Sequence, residues 1–138
     1  MRAPLTAAAA LFVAALPAAA EGPRLLDAWA AADAEWEGLI DDAEAANINV
    51  IAWHAAVART CDGYELDVEE IAAATDAILL APPDAMEAEA LLERHASILI
   101  ALGTAQGLFL AEGALDRDGF CAAAAEVRAD PDFDDLWR

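Results

Sequence analysis

The chain has 138 residues, of which 26 are acidic and seven basic, giving a formal net charge of −19, and 59% are hydrophobic. Every basic residue is arginine. A surface this acidic repels nucleic acid and anionic lipid headgroups, which sets both aside as partners, and the length suits one domain with a modest core.

The first twenty residues have the layout of a secretory signal. Arg2 gives a positive start, an apolar run extends from Leu5 to Leu16, and Ala18 and Ala20 supply the small-x-small pattern of a cleavage site. The run is shorter than the roughly 20 apolar residues a spanning anchor needs. The expectation is therefore a removed signal over residues 1–20 and a single helical domain over residues 21–138. No cysteine follows the cut, so no lipoprotein anchor is suggested.

The remainder is rich in alanine and poor in β-branched residues, which favours helices. Leu25/Leu26, Trp29, Ala32, Trp36, Leu39/Ile40 and Ala43 recur at helical spacing and predict one helix from residue 24 to 46, broken or restarted near Asn47 and Asn49. Val50, Trp53, His54, Val57 and Cys61 form the inward stripe of the next helix, which Gly63 stops.

A third helix announces itself with Asp67 and Glu70 as a capping box, with Leu66 and Ile71 as its hydrophobic staple, and ends near Leu80 ahead of Pro82 and Pro83. Asp84 and Glu87 repeat the capping spacing for a fourth helix that runs to about Ala111. Its apolar stretch from Ala96 to Ala111 is sixteen residues long and contains Ser97, Thr104 and Gln106. That falls short of a comfortable membrane span and predicts a central buried helix. Gly103 and Gly107 form a Gly-x-x-x-Gly pair, expected to let a neighbouring helix of the bundle approach closely. A last helix is expected over residues 119–129, with Asp118 as N-cap and Phe120, Ala124 and Val127 facing in. After Pro131, Phe133, Leu136 and Trp137 recur at helical spacing. The tail is expected to fold back and bury Trp137, with a partner-docking peptide as the alternative use of the same three residues.

Little in the chain looks like chemistry. Cys61 and Cys121 are the only cysteines, each at a helix end on an apolar face. In an exported chain that favours a disulfide. The competing uses are a reactive thiol at Cys121, where first-turn amide dipoles would acidify it but no base stands nearby, and a zinc site. Zinc would need His54, His95, Cys61 and Cys121 to converge, and none of these sits at the tight spacing of structural ligand pairs. His54 reads as a core-edge residue beside Trp53, and His95 as a partner for Glu93 or Glu89. Neighbouring acids such as Asp41/Asp42 and Glu69/Glu70 do not face one another on a helix, so they make no acid/base dyad. Phosphate-binding glycine loops, nucleophile elbows and zinc-protease motifs are absent from the sequence, so no enzyme activity and no cofactor is expected.

The order of these features resembles a family of small exported two-cysteine helical proteins of Gram-negative bacteria, a domain of unknown function. The likeness covers residues 50–138: an amphipathic helix ending in Cys61, two middle helices, Phe120-Cys121 opening the last helix, and Leu136-Trp137-Arg138. It implies no activity. A second likeness, of architecture alone, is to the acid-stress periplasmic chaperones, which are also small, helical and held by one disulfide.

The sequence thus predicts an all-α bundle of four to five helices stapled by one disulfide, resident in the periplasm or secreted. The expected role is non-enzymatic, binding another protein or a small apolar ligand, without stable membrane insertion. An acid-activated holdase and a thiol redox sensor are the alternatives.

Overall fold

Five helices follow one another without an intervening strand among the described residues: α1 (Glu21–Trp36), α2 (Asp42–Thr60), α3 (Val68–Leu79), α4 (Ala88–Leu115) and α5 (Arg117–Ala129). The computed structural model describes residues 21–80, 86–130 and 136–138. The proposed signal at residues 1–20, the helix-ending prolines Pro82 and Pro83, Asp84 and Phe133 lie outside them. The expected all-α bundle with one disulfide is what is found.

The helix predicted across residues 24–46 is two helices. Gly38 takes a positive φ of 79°, which a glycine adopts without steric penalty, and the chain turns there. Asp41 then caps α2: its side chain accepts from the Glu44 N–H at 2.8 Å while Glu44 accepts from the Asp41 N–H at 3.1 Å. This reciprocal pair satisfies two of the amide donors that a helix start leaves open. Asn47 and Asn49, expected to interrupt, lie inside α2.

Two further starts differ from expectation. At α3, Asp67 accepts from the N–H groups of Glu69 and Glu70, but no return bond from the Glu70 side chain completes a box. At α5, the cap is Asp116 rather than Asp118, accepting from Gly119 N–H at 3.0 Å, so the helix begins two residues early and Cys121 is its fifth residue. Asp-Arg-Asp offers two aspartates at alternate positions, and the one that follows directly on the end of α4 is used. α4 itself begins at Ala88 without a side-chain cap and continues to Leu115, beyond the expected Ala111.

α4 is the spine, with α1, α2 and α5 packed along it. The core between them centres on Ile48, Ile51, Ala52, Ile98, Ala101 and Ala105, closed at its edge by Ala32, Trp36 and Ile78. Alanines at the contact points let the axes approach closely, and each contributes little area of its own. Larger groups lock the layers together. Trp29 packs edge-on against Phe109 at 4.8 Å and donates its indole N–H to Glu112 at 2.7 Å, tying α1 to α4. Arg94, buried on α4, forms an ion pair with Glu44 on α2 and donates to the Ile78 carbonyl at the end of α3. His95 donates its Nε2–H to the neighbouring Leu79 carbonyl at 3.0 Å rather than meeting Glu93 or Glu89; since a carbonyl only accepts, Nε2 is the nitrogen that carries the proton.

Gly113 marks the tightest approach. A Cβ there would lie 2.9 Å from Thr60 Cγ2 and 3.2 Å from Phe120 Cδ1, where α2, α4 and α5 converge. Gly113→Ala is expected to lower stability by about 1–3 kcal/mol through overpacking, read as a fall in the urea midpoint with unchanged slope.

Candidate interaction sites

Three places carry side chains arranged beyond the needs of a plain helix bundle. The first is built around the connection from Cys61 to Asp67, between α2 and α3. Cys61 bonds to Cys121 on α5, with Cα atoms 5.6 Å apart and sixty positions between them in the chain. Among the described residues no cysteine is free, so a thiol chemistry at Cys121 would have to begin with reduction of this bond. The four residues considered for zinc do not assemble. Among the described residues no group of three or more His, Cys, Asp and Glu is placed to hold a metal.

Against the same connection lies the segment Leu136–Arg138. Leu66 and Trp137 form an antiparallel bridge, with Asp67 N–H donating to Leu136 O at 2.9 Å and Arg138 N–H to Glu65 O at 2.7 Å. The backbone here is extended, so the helical spacing of Phe133, Leu136 and Trp137 is not used as a helix. Trp137 is buried, donates its indole N–H to the His54 carbonyl at 3.1 Å, and stacks among His54 at 4.3 Å, Tyr64 at 4.7 Å and Trp53 at 5.5 Å. Of the tail residues considered for docking, Trp137 is thus internal, Leu136 half-buried, and Phe133 outside the described residues. His54 is fully buried rather than at the core edge, with Nδ1 2.7 Å from the Val50 carbonyl.

Arginines fasten this strap from outside. Arg128 on α5 donates to Gly63 O at 3.0 Å and Arg138 O at 2.7 Å, and its guanidinium lies 4.6 Å from the Tyr64 ring centre. Arg138 pairs with Asp67 at 3.2 Å. Arg117 donates to Thr60 O at 2.8 Å and meets Asp62 at 3.0 Å. Asp67 therefore serves two elements at once, the start of α3 and the strap. The Arg138 hydrogen bond, then the N–H groups of Glu70 and Glu69, hold its carboxyl below the ordinary value of 3.8.

The second place is an open cleft of about 830 Å³ over the Glu44–Arg94 pair, lined by Leu39, Ile40, Met86 and Ser97 among others. On the other side of Glu44 lies a smaller, mostly apolar one of about 360 Å³ against Ile51, Ala74, Ile78 and Leu136. Arg94, the cation at the wall of the larger cleft, is already engaged by Glu44 and the Ile78 carbonyl.

The third place is the outer side of α4. Arg94, Ile98, Ala101 and Ala105 face the bundle. On the reverse, Leu92, Leu99 and Ile100 are 70%, 54% and 67% exposed, and Ala96, Gly103, Thr104 and Gly107 lie between and beyond them, also exposed. The helix expected to be central and buried is packed on one side alone: 22% of its most apolar stretch is buried, and at 28 residues it passes the length and composition test for a membrane span. Nor does a helix of the bundle approach the glycine pair. Among the described residues nothing lies within 4 Å of a Cβ built at Gly103 or Gly107. Each glycine in a helix interior costs about 1 kcal/mol relative to alanine, and no contact among the described residues offsets it.

Compared with family models, with curated proteins and with solved structures, the chain matches none of them.

Two predictions follow from the strap and staple. Replacing both cysteines by alanine is expected to lower stability by about 4 kcal/mol, the loop-closure entropy for this separation, measured by urea unfolding of the oxidised protein against the variant. Because the Asp67 carboxyl is held low in the fold, its contribution is full above pH 3.8 and fades as pH falls through the depressed value. Asp67→Asn should therefore destabilise at neutral pH and flatten the acid limb of the stability curve, followed by Trp fluorescence from pH 7 to pH 2. An acid limb identical to the parent's contradicts the assignment.

Proposed function

We propose that this is an exported, non-enzymatic interaction module that docks a protein partner on the outer face of α4. The observation that carries the reading is the cluster of Leu92, Leu99 and Ile100, more than half exposed on a helix whose opposite side is packed. Contiguous apolar surface on a soluble protein marks a place that something else covers. The disulfide is compatible with an oxidising compartment, and together with the signal-like segment at residues 1–20 it supports residence in the periplasm. The resemblance of residues 50–138 to the exported two-cysteine helical family belongs to the same reading.

Docking on the outer face is favoured over insertion of α4 across a membrane. The inner side of the helix carries Arg94 and Glu112 in bonds to Glu44 and Trp29, and insertion would break both. It is also favoured over ligand binding in the clefts, where the polar groups already satisfy one another.

The test places a photoreactive residue at Leu99, or at Ala122 on the exposed side of α5 as a control, in the full chain produced in cells. Fractionation is expected to find the protein in the periplasm with Glu21 at its N-terminus, and light to give an adduct from position 99 and none from 122. Retention of residues 1–20 in the cytoplasm contradicts the export reading. Absence of an adduct at 99 contradicts the docking one.

A further inference from the structure

We infer that the occupant of this face is α4 of a second copy of the chain, crossing over Gly103 and Gly107. The inference rests on the docking reading above and names its partner. Shape comes first. Ala96, Gly103 and Gly107 form a shallow valley down the middle of the outer face, with Leu92 and Leu99 along one side and Ile100 along the other. A face holding both ridge and valley is complementary to its own copy under a two-fold axis, where each ridge enters the other's valley. The glycines are what a facing backbone requires, and among the described residues none packs against them.

Charge selects the copy over other occupants. The chain carries 26 carboxylates, yet from Ala96 to Leu115 the sole one is Glu112, which is turned inward to Trp29. A basic partner would find no countercharge on this surface, whereas a second copy, itself strongly acidic, meets here a stretch without an outward carboxylate. A lipid surface is the weaker occupant, because acyl chains follow any apolar contour and give the two glycines no purpose.

Area sets the strength. From Leu92 to Leu115 the face is about 35 Å long and one helix wide, which is smaller than the roughly 800 Å² per partner of a standard interface. The dimer is accordingly weak, with a dissociation constant micromolar or above. With an uncharged contact between two strongly acidic bodies, added salt strengthens it.

Sedimentation velocity of the exported protein from 5 µM to 500 µM, in low and high sodium chloride, reads this directly. The expected result is a shift from one to two chains as concentration rises, several-fold tighter at high salt. Replacing both glycines, Gly103→Leu and Gly107→Leu, is expected to abolish the shift; a Cβ at either position meets nothing within 4 Å among the described residues, so helicity and the thermal midpoint should be kept. Light-induced cross-linking from position 100 then separates the outcomes. A product of twice the chain mass supports the inference. A product of any other mass, or co-sedimentation with neutral phosphatidylcholine vesicles by a chain that stays monomeric, overturns the second copy, and the former leaves the protein-docking reading standing. No product and no concentration dependence overturn both.

Discussion

Everything at one end of this molecule depends on holding the seven residues from Cys61 to Asp67 in place. That connection has no helix or sheet of its own to satisfy its backbone. It is held covalently by Cys121, by two main-chain bonds to Leu136 and Arg138, and from α5 by Arg128 at the Gly63 carbonyl and Arg117 at the Asp62 carboxylate. Backbone polar groups need partners, and those of Gly63, Glu65 and Asp67 receive theirs from a distant part of the sequence. Once the connection is fixed, the end of α2 and the start of α3 are fixed with it, and the aromatic cluster of Trp53, His54, Tyr64 and Trp137 has its floor. An alanine-rich bundle gains little from any one contact, so a covalent tie and a buried indole carry a large share of its stability.

The far end is organised differently. There Glu44 performs two tasks: it completes the cap of α2 and neutralises Arg94 on α4. Removing one member of a buried ion pair costs far more than the pair contributes, so the loss of either Glu44 or Arg94 leaves the other uncompensated. The same pair fills the wall of the larger of the two clefts with polar groups engaged with one another, which is why that cleft has less to offer a ligand than its volume suggests.

Much of this was legible in the sequence, and the failures have physical reasons. The helix count and class, the disulfide and the burial of Trp137 follow from alanine content, from two cysteines at helix ends, and from a large aromatic with nowhere else to go. The break at Gly38 was masked because apolar residues keep helical phase on both sides of it; the Asp41–Glu44 box was the available signal. Asp116 and Asp118 have equal capping chemistry, and only the end of α4 decides between them. The strap was invisible, since an antiparallel bridge of two residues has no periodicity. The glycine pair was readable as a close-approach motif, but whether the approaching helix belongs to the same chain is a question of topology that spacing does not contain.

The reach of these contacts also orders events in time. Trp29 meets Glu112 and Trp137 meets His54 across 83 residues each, and the cysteines are separated by sixty. Helices form locally and fast, while closures of this length wait for the later partner to be made. A ribosome delivers Cys61 well before Cys121 and His54 long before Trp137. The earlier helices therefore exist for a time without the two devices that lock them. A helix whose fastening partner lies 60 to 83 residues further along stays pliable until that partner has been made.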